Sequence, residues 1–125
     1  MSNVHRYFLN ISVLYLIAGM ALGLAMGLYG NHQFFPAHAH INLIGWVSFA
    51  LYGLIYRQVP ATAATPLALW HFWISNIGAL LLVVGIAGIN AGNDDFIPLA
   101  ASGAIASLLG AVIFAIILYR HLDRT

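Results

Sequence analysis

Four long apolar runs, separated by short polar links, organise this sequence. A helix that crosses a membrane needs about 20 mostly apolar residues, and four runs are long enough: about 7–29, 38–56, 66–89 and 96–119. The links at 30–37, 57–65 and 90–95 are short, and short links join antiparallel neighbours. The pattern therefore predicts an all-α fold, in which residues 1–125 form one integral membrane domain, an up-down four-helix bundle.

The composition agrees with a membrane location. The 125 residues are 62% hydrophobic and only 6% charged, whereas ordinary globular domains carry about 25% charged residues. Because so few charges cannot keep so apolar a surface in water, the expected surroundings are a lipid bilayer. The absence of cysteine excludes disulfides and thiolate metal sites. A formal net charge of +1 leaves no polybasic patch, so no nucleic-acid partner is expected.

The charged residues predict how the helices are oriented. All the basic side chains fall on one side of the predicted membrane, and two acidic residues, with no base beside them, occupy a link on the other side. The positive-inside rule places the basic side in the cytoplasm, so both termini are expected there. The basic residues are Arg6, Arg57, Arg120 and Arg124, and the acidic pair is Asp94 and Asp95.

Small residues recur at helical spacing, which lets helix backbones approach closely. One interpretation is packing inside the bundle, and the other is contact between copies in a homo-oligomer. On the fourth run, two such rows predict contacts in two directions. The rows are Gly19, Gly23 and Gly27; Gly78 and Gly85, with Gly88 nearby; Gly103 and Ser107; and Ser102, Ala106 and Gly110.

Two histidines, His38 and His40, begin the second apolar run. An ionisable side chain inside a membrane is a functional hypothesis by default. Two positions on a helix are about 200° apart, so these side chains should point to nearly opposite faces. The two imidazoles are then poorly placed to bind the same metal ion. Two haems, or one haem and one structural hydrogen bond, suit this geometry, and interfacial histidines bound to water are the simpler alternative.

Other residues extend this candidate site. Met26 is a candidate soft axial ligand for haem, and Trp46 and Phe49 would line an apolar pocket for it. If the first helical turn is irregular, His32, His38 and His40 would instead form an outward-facing site for copper or zinc, because three neutral imidazoles suit these metals. The candidate metal ligands are thus His32, His38 and His40, and the candidate haem-binding residues are His38, His40, Trp46 and Met26.

His71 belongs to the other side of the membrane. It lies about five residues into the third run, so at about 1.5 Å of rise per residue it should differ in depth from His40 by some 15–18 Å. The two cannot ligate the same ion in a simple bundle. For His71, a hydrogen-bonded structural histidine is the expected role.

The second and third runs resemble a known family. The sequence around His38-Ala39-His40, with Gly45-Trp46 and Gly53 following, resembles the tenth helix of the catalytic subunit of haem-copper oxidases, above all the C-family, cbb-type enzymes. The sequence Trp70-His71-Phe72-Trp73 resembles their eleventh helix. The resemblance implies that His38 is the proximal ligand of a high-spin haem and His40 an axial ligand of a low-spin haem. It assigns no ligand role to His71.

The chain also departs from that family. It has four predicted spans where the oxidase subunit has about twelve. The helices that carry the copper ligands in that family have no counterpart among the four. No Glu, Lys or Asp lies within a predicted span. A proton-pumping oxygen reductase is therefore not expected. The resemblance still implies chemistry of the oxidoreductase kind. We expect a small b-type haem protein of the bacterial inner membrane, for electron transfer or binding of O2 or NO.

Two alternatives remain open beside haem b. One is the histidine site for copper or zinc described above. The other is a non-catalytic assembly factor or accessory subunit that packs against a respiratory complex. If haem is bound, a second copy of the chain is expected to help enclose it, because four helices make a small bundle.

Overall fold

A computed structural model describes residues 3–122 of the protein. The described chain is helical and contains no strand. Four helices are long and apolar enough to cross a membrane, as the four apolar runs predicted, and a short helix, α3, lies in the second link. The helices are α1 (Val4–Tyr29), α2 (Phe35–Gln58), α3 (Pro60–Ala63), α4 (Leu67–Asn90) and α5 (Ile97–His121).

The outer surface of the four long helices is apolar. Leu28 on α1 is 75% exposed and Ile105 on α5 is 69% exposed, and large aliphatic side chains are exposed along each long helix. The buried positions, by contrast, include Ser12, His71 and Ser75. Small and polar groups inside with large apolar groups outside is the arrangement that lipid favours. The chain is a membrane protein.

Helices α1 and α2 pack closely because glycines remove side chains from their contact. Gly19 lies against Asn42, and Gly23 lies so near His38 that a Cβ there would come within 2.8 Å of its Cε1 atom. On α2, Gly45 accommodates the ring of Tyr15. The contacting positions run in opposite directions along the two helices, so α1 and α2 form an antiparallel pair.

Helices α4 and α5 form a second antiparallel pair on the same principle. A Cβ at Gly78 would come within 2.7 Å of Ser107 N, and one at Gly103 within 2.6 Å of the Leu82 Cα. Gly85 faces Ala100 and Gly110 faces Ser75 in the same way. These small-residue rows are therefore used for packing inside the chain. A Cβ at Gly27, by contrast, would have no packing neighbour within 4 Å.

An aromatic cluster joins the two helix pairs near the ends that carry Arg6 and Arg57. Phe8 of α1 contacts Tyr56 at a ring-centroid distance of 5.9 Å and Phe72 at 5.1 Å. Phe114 of α5 contacts Tyr52 at 4.6 Å. Because these rings come from all four long helices, the cluster is the main core of the bundle. At the opposite end, the Ala37 N–H donates to Asn90 Oδ1 at 3.3 Å.

Helix α2 changes its winding directly after the two histidines. Residues Ile41–Ser48 form a π-helix, with an α-helical segment on each side. From Ala37 to Gly53 the buried positions of α2 recur every four residues, at Ala37, Ile41, Gly45, Phe49 and Gly53. On a uniform α-helix this spacing would rotate the buried face by roughly 40° per step. The wider π turn offsets that rotation and keeps the face on α1.

The described arginines lie at one end of the bundle. Arg6 and Arg57 line the same polar pocket beside His5, and α3, which follows Arg57, contacts α5, the helix that ends near Arg120. Arg124 and Asp123 lie outside the described residues. The assignment of this end to the cytoplasm, and of the whole chain to a single domain, stays a prediction.

Candidate functional site

His38 is held inside the contact between α1 and α2. Its Nδ1 lies 2.8 Å from the carbonyl oxygen of Gly19, and its ring packs against Gly23. A carbonyl oxygen can only accept, so Nδ1 carries the proton and Nε2 carries the lone pair. Asn42 Nδ2 lies 3.3 Å from that Nε2 and 3.5 Å from Nδ1, so it contacts the ring between the two nitrogens, away from the direction of the Nε2 lone pair. His38 is therefore anchored to α1 through its Nδ1, and Asn42 covers part of its ring.

His40 has a different environment. Its Nδ1 donates to the carbonyl oxygen of Pro36 at 2.8 Å, one turn earlier on the same helix. Its ring is half-buried. This bond again leaves the lone pair on Nε2, and no described residue hydrogen-bonds that atom. A neutral imidazole with Nδ1 held by a carbonyl and Nε2 free is the form in which histidine binds a metal.

The two histidines therefore do not act as a chelating pair. The ring of His38 packs on α1, while that of His40 is held by its own helix. His32 lies exposed in the link between α1 and α2. Among residues 3–122, no three His, Cys, Asp or Glu side chains are arranged to hold a metal ion. In this structure His32, His38 and His40 do not form the three-imidazole site for copper or zinc.

Met26 lies near this end of the bundle, and Trp46 lies midway along α2. Met26 is only 6% exposed and lies one turn beyond Gly23 on α1, where it lines a surface pocket with Tyr29 and Phe34. Its side chain thus packs against the link between α1 and α2. Trp46 is half-buried in the π-helical segment. Their assignment as haem contacts stays a prediction.

Asn42 takes part in the contact between α1 and α2. Its Oδ1 is buried and has no hydrogen-bond partner, although its amide group contacts His38. It lies against Gly19, the residue whose carbonyl binds His38. Asn42, Gly19 and His38 therefore form one polar contact between α1 and α2, at the start of the π-helical segment.

His71 forms a second polar site, at the other end of the bundle. It is fully buried and is surrounded by the rings of Phe8, Tyr52 and Phe114 at centroid distances of 5.0, 4.5 and 5.1 Å. Its Nδ1 shares a 2.8 Å hydrogen bond with the Tyr56 hydroxyl. Its Nε2 is buried without a partner. The expectation of a hydrogen-bonded histidine, apart from His38 and His40, agrees with these contacts.

Comparison with known proteins gives two partial matches. The chain is 33% identical over 52 residues to a cytochrome c oxidase subunit 1 homolog (bacteroid) of Bradyrhizobium diazoefficiens, a match that covers 37% of this chain and 10% of that protein. It is 32% identical over 63 residues to a cytochrome c oxidase subunit 1 homolog of Azorhizobium caulinodans, covering 44% of this chain and 11% of that protein. No family model and no solved structure matches.

The chain is distantly related to subunit 1 of haem-copper oxidases. It spans about a tenth of the length of these two relatives. The coarse resemblance seen in the sequence is thereby supported. The equivalence to the tenth and eleventh helices, and the cbb-type assignment, stay predictions.

The buried hydrogen bond between Tyr56 and His71 yields a stability prediction. Changing Tyr56→Phe leaves both ring nitrogens of His71 unpaired in an apolar surrounding, which we expect to lower the free energy of unfolding by about 1–3 kcal/mol. The measurement is reversible unfolding in mixed detergent micelles, followed by circular dichroism.

A double variant provides the control. In His71→Phe with Tyr56→Phe, neither polar partner remains, and such paired replacements are nearly neutral. We therefore expect the double variant to be more stable than Tyr56→Phe alone. The single variant His71→Phe completes the comparison. If the stability losses of the two single variants add up to that of the double variant, the hydrogen bond contributes nothing to stability.

Proposed function

We propose that this chain is a small b-type haem protein of the membrane, in which His40 is an axial ligand. The distant relationship to oxidase subunit 1 makes haem the cofactor to consider. The observation that carries the proposal is the state of His40: Pro36 O holds its Nδ1 and leaves its Nε2 free. Electron transfer, or binding of O2 or NO, is the function that such a ligand would serve.

The residues around His40 suit a haem group. Pro36 and Leu43, one turn before and one turn after His40 on α2, are exposed, Leu43 at 62%. A flat apolar macrocycle could pack against such side chains, and its insertion would require no charged group to be buried. His38 suits this role less well, because its ring packs on Gly23 and Asn42 lies 3.3 Å from its Nε2. We therefore assign His38 to the contact between α1 and α2.

Bound haem would supply one-electron exchange and an iron that can take a diatomic ligand. The chain's own residues perform the supporting tasks. Pro36 O fixes the ring orientation and the tautomer of His40. The contact of His38 with Gly19 O holds the start of α2 against α1. No acidic residue lies within the four long helices, so these helices offer no carboxylate for proton transfer.

The proposal extends to the surroundings of the site. One copy supplies a single suitable imidazole, so we propose that a second copy covers the other face of the haem. Because most glycine rows are used inside the chain, the surface available for that contact includes Gly27, which has no neighbour. By the positive-inside rule, His40 would face away from the cytoplasm, in a bacterial inner membrane.

The visible absorption spectrum tests the proposal. The protein is expressed with ample haem, purified in mild detergent, and measured in oxidised and dithionite-reduced forms. We expect a Soret band that shifts on reduction, with a haem content, by pyridine haemochrome assay, of one haem per one or two chains. Protein that is folded by circular dichroism but carries no Soret band would refute haem binding.

A further inference from the structure

A polar pocket lies between the start of α1 and the end of α2. It measures about 510 Å³, within the range of about 300–1,000 Å³ that small-molecule sites occupy. The two helices approach closely beside it because Gly53 of α2 has no side chain, and a Cβ there would come within 3.0 Å of His5 O. Arg57 follows Gly53 by about one turn, so it lines the same pocket as Arg6 of α1.

The pocket carries positive charge that the described chain does not neutralise. Arg6 and Arg57 are both exposed, and within residues 3–122 neither guanidinium forms an ion pair or a hydrogen bond. The acidic residues of that range, Asp94 and Asp95, lie in the link before α5, at the opposite end of the bundle. Both guanidinium groups are therefore available to an anion from outside the chain.

The chemistry of the lining selects a phosphate group. A guanidinium presents paired N–H donors that match two phosphate oxygens, and here two guanidinium groups come from different helices. The other polar side chains of the pocket can add N–H donors, and no carboxylate lines it to repel an anion. These polar side chains belong to Asn3, His5 and Asn10.

The pocket lies at the depth of lipid headgroups. Large aromatic side chains are exposed around the same end of the bundle, and exposed Trp and Tyr are typical of the boundary between lipid and water. Their exposed fractions are 47% for Tyr7, 64% for Trp70, 59% for Trp73 and 77% for Tyr119. A phosphate at this depth is that of a phospholipid.

An apolar groove adjoins the pocket at Asn10. The groove measures about 400 Å³ and lies between α1 and α4, where its walls include Tyr7, Phe72 and Trp73. Asn10 lines both the groove and the polar pocket, and its amide makes no hydrogen bond to a described residue. A ligand that fills both spaces has a phosphate at one end, an apolar chain at the other, and a polar group between them. A glycerophospholipid has this order, with its ester carbonyls in the middle.

We propose that Arg6 and Arg57 bind the phosphate of an anionic phospholipid, whose acyl chain lies in the groove between α1 and α4. The Asn10 amide donates to an ester carbonyl oxygen. An anionic headgroup binds better than a choline headgroup, because the choline ammonium brings a positive charge towards the two arginines. The site is independent of haem at His40, since Arg57 is 17 residues further along α2, roughly 25 Å at 1.5 Å per residue.

Competition between two lipids tests this proposal. The full chain in detergent micelles receives equal amounts of dimyristoyl-phosphatidylglycerol and dimyristoyl-phosphatidylcholine, which share their acyl chains and differ in headgroup charge. Lipid that stays bound after washing with detergent is extracted and quantified by mass spectrometry. We expect one phosphatidylglycerol per chain, retained at least about tenfold over phosphatidylcholine, because each arginine near the surface favours anionic lipid by about fivefold. Equal retention of the two lipids would overturn the proposal.

Inorganic phosphate is the soluble competitor. It offers similar oxygen atoms without an acyl chain, so at millimolar concentration it should leave the bound phosphatidylglycerol in place. Displacement of the lipid by phosphate would assign the pocket to a soluble anion and overturn the lipid assignment.

Two matched variants locate the charge. Arg57→Gln and Arg120→Gln each remove one exposed arginine from the same end of the bundle, but Arg120 does not line the pocket. We expect Arg57→Gln to lower the retention of phosphatidylglycerol by about fivefold and Arg120→Gln to leave it unchanged. Equal loss in both variants would show a general attraction of anionic lipid to this end, and the proposed site would be wrong.

A second pair of variants examines the acyl chain. Trp73→Ala removes one wall of the groove, so it should lower the retention of both lipids while the preference for phosphatidylglycerol remains. Trp70→Ala removes an equally exposed ring from the same helix, outside the groove, and should retain both lipids. Unchanged retention in Trp73→Ala would place the acyl chain elsewhere. A circular dichroism spectrum like that of the parent verifies that each variant is folded.

Discussion

Changing His40→Ala is expected to abolish the haem spectrum of the purified protein. His40 has its Nδ1 hydrogen bond to Pro36 O and a free Nε2, so the variant loses the proposed iron ligand. It loses little packing, because the ring is only half-buried. We expect the Soret absorbance per chain to fall to the background of non-specifically bound haem, while the helix content stays unchanged.

His121 provides a matched control. Its Nδ1 donates to Ile117 O at 2.8 Å, four residues earlier on α5, which is the same local bond that His40 makes. His121→Ala therefore removes an equivalent imidazole from the other end of the bundle, and it should retain full haem content. Equal loss in both variants would mean that the effect does not come from ligation by His40.

His38→Ala distinguishes the two histidines. We expect this variant to keep a Soret band but to unfold more easily, since it removes the hydrogen bond to Gly19 O and the ring that packs on Gly23. The opposite outcome, in which His38→Ala loses the haem and His40→Ala retains it, would assign the ligand role to His38.

A change of Gly103→Leu is expected to have the largest effect on stability. A Cβ at this position would lie 2.6 Å from the Leu82 Cα and 2.8 Å from Gly78 O. Both neighbours are backbone atoms, so no side-chain rotation can relieve the clash, and α4 and α5 must move apart. We expect a loss of about 3 kcal/mol or more, at the upper end for overpacked interiors. The measurement is unfolding in mixed micelles.

Gly27→Ala is the control for this change. No heavy atom lies within 4 Å of a Cβ at Gly27, and replacing glycine by alanine inside a helix gains roughly 0.5–1 kcal/mol. The control should thus be slightly more stable than the parent. Loss of stability at Gly27→Ala would show that a partner covers this surface, and would support the contact between copies proposed above.

The placement of the helices could be read from the sequence to within a few residues. Apolar runs of sufficient length require helices in a membrane, because a backbone in lipid must satisfy its own hydrogen bonds. Helix α1 was predicted to start at Tyr7 and starts at Val4. Helix α5 was predicted to end at Tyr119 and ends at His121. The short helix Pro60–Ala63 was missed, because its four residues produce no periodic pattern.

The candidate site was predicted only in part. The sequence pointed to His38 and His40 and to their different directions, since helical geometry alone separates positions two residues apart. It did not distinguish their environments. That distinction depends on Gly19 and Asn42, which lie 19 residues before and 4 residues after His38. A repeat of buried small and apolar positions every four residues on α2 was the available signal for the π-helical segment.

The sequence by itself determined that this membrane protein has four helices long and apolar enough to cross a bilayer, and which end of each helix carries its charged and histidine residues. The reason is that membrane insertion depends on the length and polarity of each segment separately. Only the tertiary structure decided which polar atoms are paired. Gly19 O engages His38, Tyr56 engages His71, and the hydroxyls of Ser75 and Ser107 remain unpaired. Such pairing depends on which residues of different helices meet, and the pattern of a single helix does not contain that information.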